Sequence, residues 1–234
     1  MPLRVRRETP QPWLLLDLPL LDYSSAQALQ QRLVAAKRAG KLEADLLLLL
    51  EHPPVFTLGN RGGLVHLKVA PEFLAERGIP LLTTERGGEI TYHGPGQVVA
   101  YPIFDLRRAG LGVAAYVALL EETMIRAVGE FAVAARRQPQ RAGVWCGEGK
   151  IGSLGLRVRG GIACHGMALN VALDLTPFSW IEPCGLAGAR VSSLAAEAGR
   201  AISVAEFRTC LLRQFQLLFP VDFLTVSLAE LHGY

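Results

Sequence analysis

Gly149-Lys150-Ile151-Gly152-Ser153-Leu154-Gly155-Leu156-Arg157-Val158-Arg159, then Gly160-Gly161, then Ile162-Ala163-Cys164-His165-Gly166-Met167-Ala168-Leu169-Asn170-Val171 is the stretch on which the fold turns. Gly147 to Gly152 satisfies GxGxxG, the signature of a dinucleotide loop. That loop needs a strand before it and a helix after it, because the helix N-terminus receives the pyrophosphate. Ser153 to Arg159 instead alternates short apolar and polar residues, which predicts a strand. Gly160-Gly161 is a hairpin-turn signal, and the apolar run to about residue 173 predicts the returning strand, so the stretch reads as a long hairpin. A phosphate loop fails too, with Val144 where GxxxxGK[ST] needs glycine and Ile151 where it needs Ser or Thr. The glycines therefore serve close approach of backbone to backbone or to a ligand.

Elements flank this hairpin on both sides. Trp13 to Leu18 predicts a strand, and Ser24 or Ser25 then caps a helix to about residue 38, closed by Gly40. Ala44 to Glu51 is a continuous apolar run of strand length, the pattern of a buried central strand. Val55 to Leu58 is extended, 71–77 is a short helix opened by Pro71 and closed by Gly78, and strands follow at 80–84 and 97–104. A helix over 112–134 carries Tyr116, Leu120, Met124, Ala127 and Phe131 on one side, and a last helix covers 203–218. Strands near 143–146, 150–159 and 162–173 complete the pattern. No repeat or linker interrupts it, so residues 1–234 form one α/β (α+β) domain, a mixed and largely contiguous sheet flanked by helices.

Composition excludes several classes. The 234 residues are half hydrophobic, enough to bury a substantial core. A net charge of +3 from 24 basic and 21 acidic residues is too mild for a nucleic-acid binder. Local arginine clusters (4, 6 and 7; 107 and 108; 136, 137 and 141) are solvated faces that could attract an acidic carrier protein. No signal-peptide pattern opens the sequence, and the longest apolar run is far below bilayer length. The four cysteines, 146, 164, 184 and 210, form no CxxC pair. That usage fits a reducing compartment, and a cytoplasmic location is expected. Five scattered histidines without HExxH give no metal site, and Cys164 and His165, adjacent on a strand, should face opposite ways.

Two features carry chemistry. Lys150 is the only lysine beyond position 68 in a chain with 20 arginines and four lysines. A desolvated lysine can surrender its proton and arginine cannot. Cys184 in Glu182-Pro183-Cys184-Gly185 follows shortly after, and a thiol deprotonated by a nearby amine is an acyl-transfer nucleophile. The bland alternative is a surface lysine with a structural cysteine. The second feature, Arg86-Gly87-Gly88-Glu89-Ile90-Thr91-Tyr92-His93-Gly94-Pro95-Gly96-Gln97, reads as a fixed irregular loop with polar tips.

Arg86 to Gln97, Lys150 to Gly155, His165-Gly166-Met167-Ala168-Leu169-Asn170 and Pro183-Cys184-Gly185, in this order, resemble the lipoyl(octanoyl) transferase family over roughly residues 45–195. The resemblance implies a biotin/lipoyl protein ligase-like fold. It implies transfer of octanoyl from acyl carrier protein to a lysine of apo lipoyl domains, those of 2-oxoacid dehydrogenases and of the glycine cleavage H protein, with no cofactor and as a monomer. Cys184 is the implied acylated nucleophile and Lys150 the residue that lowers its pKa. Implied substrate contacts are Arg86, Gly87, Gly88, Glu89, Ile90, Thr91, Tyr92, His93, Ser153, Leu154, Gly155, Gly166, Met167 and Ala168, with His165 as an orienting group. Gly87, Gly88, Gly152, Gly155 and Ala168 are small enough to leave an apolar slot for the acyl chain. This chain departs from the family in Gly152, where Ala is common, and Glu182, where Asn is common; Glu182 is expected to point outward. The rival readings are an ATP-dependent lipoate or biotin ligase of the same fold, a non-catalytic binding module for the carrier or lipoyl domain, and a papain-like hydrolase.

Overall fold

The computed structural model describes residues 12–139, 141–182 and 190–234. Its elements in chain order are β1 (Trp13–Asp17), α1 (Tyr23–Arg38), β2 (Leu46–Leu50), β3 (Val55–Leu58), α2 (Pro71–Ala75), β4 (Leu81–Thr83), β5 (Ile90–His93), β6 (Gln97–Asp105), α3 (Val113–Gly129), β7 (Arg136–Gln138), β8 (Arg141–Cys146), β9 (Gly149–Arg159), β10 (Ile162–Asn170), β11 (Arg190–Val191), α4 (Leu194–Ala198), α5 (Val204–Leu218) and β12 (Phe223–Thr225).

The described strands make a large mixed sheet in the order β12-β1-β2-β6-β10-β9-β8-β7, with β11 added against β9, and a separate sheet β4-β3-β5. The β9–β10 hairpin is as the sequence predicts, with Gly160 and Gly161 at φ +58° and +81°. In β2, five leucines face two cores at once. Leu46, Leu48 and Leu50 join Leu29 and Leu33 of α1, while Leu47 and Leu49 join Tyr116, Leu120, Phe207 and Phe215 of α3 and α5. A strand buried on both faces has no need of polar alternation, which is why the run is continuous. The smaller sheet has its own core of Phe56, Leu74, Ile90, Tyr92, Phe178 and Ile181.

Three expectations change. The cap of α1 is Asp22, whose carboxylate accepts from the Ser25 N–H at 2.9 Å, so the serines lie inside the first turn. Helix α3 ends at Gly129 rather than 134, because Ala132 adopts a left-handed φ of +60° that no continuing helix allows. Residues 90–93, read as irregular loop, form strand β5: its four residues are too few to show a period between glycines, yet they pair in full with β3, Val55 to His93 through Leu58 to Ile90.

Candidate active site

Tyr23 of α1 stacks on His93 of the smaller sheet, and a cleft opens between that sheet and the β9–β10 hairpin. Its walls are Arg86, Gly88, Glu89, Ile90, Thr91, His93 and Tyr101 on one side and Ser153, Leu154, Gly155, Gly166, Met167 and Ala168 on the other, around roughly 480 Å³ of space including the mouth. The surface is mainly apolar because hairpin register sets Ala168 against Ser153 and Gly166 against Gly155. Gly166 is where β6 crowds β10: a Cβ there would lie 2.2 Å from the Ala100 carbonyl oxygen.

Twelve of the fourteen residues implied as substrate contacts line this cleft. Gly87 does not; it packs against the Leu156 backbone. Tyr92 does not either; its ring packs in the small core against Phe56 and Phe178. Arg86 lines the cleft chiefly as scaffold: its guanidinium donates to Thr57 Oγ1 and to the carbonyls of Thr57, Gly87 and Glu89, locking β3 to the glycine-rich turn. Gly152, expected to widen the slot, faces α3 instead, where a Cβ would meet Met124 Sδ at 2.9 Å. Tyr101 is a lining residue that sequence reasoning missed; its only signal was a polar-tipped ring inside the apolar run of β6.

Two buried histidines have their tautomers fixed by carbonyl groups. His52 Nδ1 lies 2.6 Å from the Leu21 carbonyl and must donate to it, so its Nε2 accepts from the Tyr101 hydroxyl at 2.9 Å. Burial takes the His52 pKa down to about 4, against the pull of that carbonyl. For His93 the chain of reasoning is longer. Asn170 Nδ2 donates to the Ser192 carbonyl and Gln97 Nε2 to the Tyr92 carbonyl, which orients both amides. Gln97 Nε2 then also donates to Asn170 Oδ1, and Gln97 Oε1 must accept from His93 Nδ1 at 2.6 Å. Neutral His93 is left with a lone pair on Nε2, which is buried and meets no donor among the described residues. Burial, with the nearby charges of His52 and Arg86, holds its pKa well below the ordinary value. The Ser192 N–H donates to the Lys150 carbonyl, so one hydrogen-bonded run joins the cleft wall to the strand bearing Lys150.

Lys150 is 6% exposed at the start of β9, between Trp145 of β8 and Val191 of β11. Its Nζ stands 5.7 Å from the Trp145 ring centre, a cation–π contact. Its Cε lies over Gly143, where φ is +124° and an added Cβ would approach that Cε to 2.6 Å. Cys184 lies outside the described residues. What is described is the chain on either side of its segment. The Glu182 N–H donates to the His66 carbonyl at 2.8 Å, and Glu182 faces the imidazole, whose Nδ1 is 3.7 Å away and whose Nε2 is 3.8 Å from Glu89 of the cleft. Beyond the segment, Val191 pairs with Lys150. Glu182 is half-buried rather than turned fully outward.

His165 is not part of this cleft wall. With Cys164 it lines a second cavity, bounded by Gln27, Gln30, Gln31, Val34, Ala35 and Arg38 of α1, by Glu85, and by Arg157 and Arg159. The expectation that Cys164 and His165 face opposite ways fails because His165 has φ +54°, which breaks the strand's alternation. Among the described residues no group of three His, Cys, Asp or Glu is placed to hold a metal ion.

Residues 22–216 match the family model of the lipoyl protein ligase A/B catalytic domain. An octanoyltransferase of Desulfotalea psychrophila is 52% identical over 85% of this chain and 90% of its own length. One of Syntrophobacter fumaroxidans is 42% identical over 94% and 96%. A crystal structure of lipoate-protein ligase A bound with ATP superposes with a TM-score of 0.77 at 18% identity, covering 95% of this chain and 92% of that one. Biotin protein ligase from Aquifex aeolicus superposes less closely, with a TM-score of 0.52 at 12% identity over 88% and 69%. The last two establish likeness of fold, and the sequence relatives establish more: the chain belongs to the octanoyltransferases of the lipoyl protein ligase A/B family.

Proposed function

We propose that the cleft holds the octanoyl chain while Cys184 and Lys150 carry out the transfer, and that the whole chain acts as one catalytic domain. The observation that carries this reading is the course of the backbone: it enters residues 183–189 at Glu182, which the His66 imidazole links to Glu89 of the cleft, and leaves them at Arg190, whose neighbour Val191 pairs with Lys150. A nucleophile on that segment is tethered between a mainly apolar cleft and a buried primary amine.

In the first half-reaction the Cys184 thiolate attacks the thioester carbonyl of octanoyl-acyl carrier protein. The enzyme C–S bond forms, the carrier sulfur departs, and the Lys150 ammonium that took the thiol proton returns it to that sulfur. In the second, the amine of an apo lipoyl-domain lysine attacks the enzyme thioester. The amide C–N bond forms, the Cys184 sulfur leaves, and Lys150 moves the amine proton to it. Thioester exchange is nearly isoenergetic and amide formation from a thioester is downhill, so the cycle needs no ATP. The acceptors are lipoyl domains of 2-oxoacid dehydrogenases and the glycine cleavage H protein. Among the described residues no helix is long and apolar enough to cross a membrane. Cys146, Cys164 and Cys210 are buried and unpaired, which suits a reducing cytoplasm.

Incubation with octanoyl-acyl carrier protein should leave an octanoyl adduct on Cys184, absent in Cys184→Ala, and transfer to an apo lipoyl domain should proceed without ATP. Lys150→Arg should lose at least about a hundredfold in kcat, the scale of a positioned proton-transfer group. Near-normal transfer by Cys184→Ala, or an absolute need for ATP, would overturn the reading.

A further inference from the structure

The two cavities lie on the same side of the same pair of strands, one after the other. Cross-strand rows run Ala168–Ser153, then Gly166–Gly155, then Cys164–Arg157. The first two rows floor the cleft and the third floors the second cavity. Rows on one face of a strand are spaced by about 6.6 Å. The cavities are thus neighbours, and what stands at their junction is His165. Regular alternation would send its side chain to the α3 side with Ala163 and Met167, which sit in that core. The left-handed backbone instead brings the imidazole edge-on to Tyr101, a wall of the cleft, with ring centres 6.1 Å apart. The His165 N–H donates to Gln30 Oε1 at 2.7 Å, which ties this conformation to α1. The residue is 4% exposed and its Nδ1 has no hydrogen-bond partner among the described residues. A non-glycine residue held at positive φ carries backbone strain, and such strain persists where the surroundings over-determine it.

We propose that His165 is a specificity-determining residue that ends the acyl cleft and limits the length of chain transferred; the inference rests on the cleft being the octanoyl site. Seven C–C bonds of an extended octanoyl chain span about 9 Å, roughly one and a half row spacings. A chain of that length fills the glycine- and alanine-floored rows and stops at the imidazole. Further methylenes would have to displace the ring before they could reach the second cavity, which Val34 and Ala35 wall together with Gln30, Gln31, Arg157 and Glu85.

The test uses His165→Gly, because glycine keeps the left-handed backbone and removes the ring. Wild type and variant are compared for transfer of octanoyl and dodecanoyl from acyl carrier protein to an apo lipoyl domain, with product mass as readout. The ratio of dodecanoyl to octanoyl kcat/KM should rise at least about tenfold, the discrimination ordinarily available to pocket length. His165→Asn, which also tolerates positive φ, should give a smaller rise and covers the case in which the glycine variant folds poorly. Adding Gln31→Trp, at an exposed position on the second cavity, should cancel the gain by filling the space the longer chain would use. An unchanged ratio in both folded variants, or a gain that survives Gln31→Trp, would overturn the inference. Wild-type protein inactive with octanoyl would strike the underlying reading instead, and this one with it.

Discussion

Gly143→Ala is a single methyl group aimed at Lys150 from a residue that touches no substrate. The new Cβ would stand 2.4 Å from the Gly152 carbonyl oxygen, 2.6 Å from Lys150 Cε and 3.3 Å from its Nζ. Carbon atoms rest about 3.5–4.0 Å apart, so Cε must retreat by about 1 Å. A misplacement of about 1 Å in a catalytic group costs about a hundredfold in rate. The backbone adds its own cost, because φ is +124° at Gly143 and an L-residue there is strained by about 1–3 kcal/mol. In a chain of this size each kcal/mol lowers Tm by about 2–4 °C, so a drop of roughly 2–12 °C is expected. The assay is octanoyl transfer to an apo lipoyl domain at 20 °C, far below the transition, beside a melting curve. Two results together support the reasoning: kcat falls about a hundredfold while the protein remains folded, and Lys150→Ala on top of Gly143→Ala loses little more. A folded Gly143→Ala within about threefold of wild type would refute the claim that this glycine positions the amine.

Acid should destabilise the fold through its buried histidines. His52 and His165 have pKa values of about 4 in the folded protein, each pushed down mainly by burial, against about 6.5 unfolded. The unfolded chain therefore binds more protons between those values, so their contribution is full above about pH 6.5 and is lost as pH falls toward 4. Between pH 7 and pH 5 the two together should remove about 4 kcal/mol, read as a lower urea midpoint; an unchanged midpoint would contradict their neutral burial. Gly166→Ala should cost about 3 kcal/mol or more, since its Cβ would meet the Ala100 carbonyl oxygen at 2.2 Å and force β10 from β6. Denaturant unfolding measures it, and a loss under about 1 kcal/mol would mean the strands yield freely. Gln97→Leu should destabilise by about 1–3 kcal/mol for each buried group left without its partner, His93 Nδ1, Asn170 Oδ1 and the Tyr92 carbonyl. It should also free the His93 tautomer, visible in ring-nitrogen NMR shifts, and a single unchanged tautomer would break the network argument.

The long elements were legible because each showed its period many times over. The β9–β10 hairpin carried nine or more residues on either side of a diglycine turn, and β2 read as doubly buried from five leucines alone. Short elements hid. Strand β5 offers four residues between glycines, and only its pairing with β3 makes it a strand. At the site, residue types pointed to the glycine-rich turn, but which of its side chains reach the cleft depends on the packing of β5, which keeps Tyr92 in the small core and leaves Ile90, Thr91 and His93 in the wall. Cys164 and His165 were misjudged for one reason: sequence gives no sign that His165 leaves the extended region, and that single dihedral moves its ring to the other side of the sheet. The network that fixes His93 joins residues 93, 97, 170 and 192, a long-range convergence that no local pattern encodes.

Strand β12 pairs in parallel with β1, Trp13 beside Phe223 and Leu15 beside Thr225, with the Trp13 N–H donating to the Asp222 carbonyl. Two ends of the described chain thus lie side by side, and three residues cap a row of backbone groups along Trp-Leu-Leu-Leu. Without β12 that row becomes an unguarded margin of high β-propensity, able to recruit the same margin of another molecule. A chain cut after Val221 would keep its cleft and its lysine, yet it should clump on heating where the uncut chain stays dispersed.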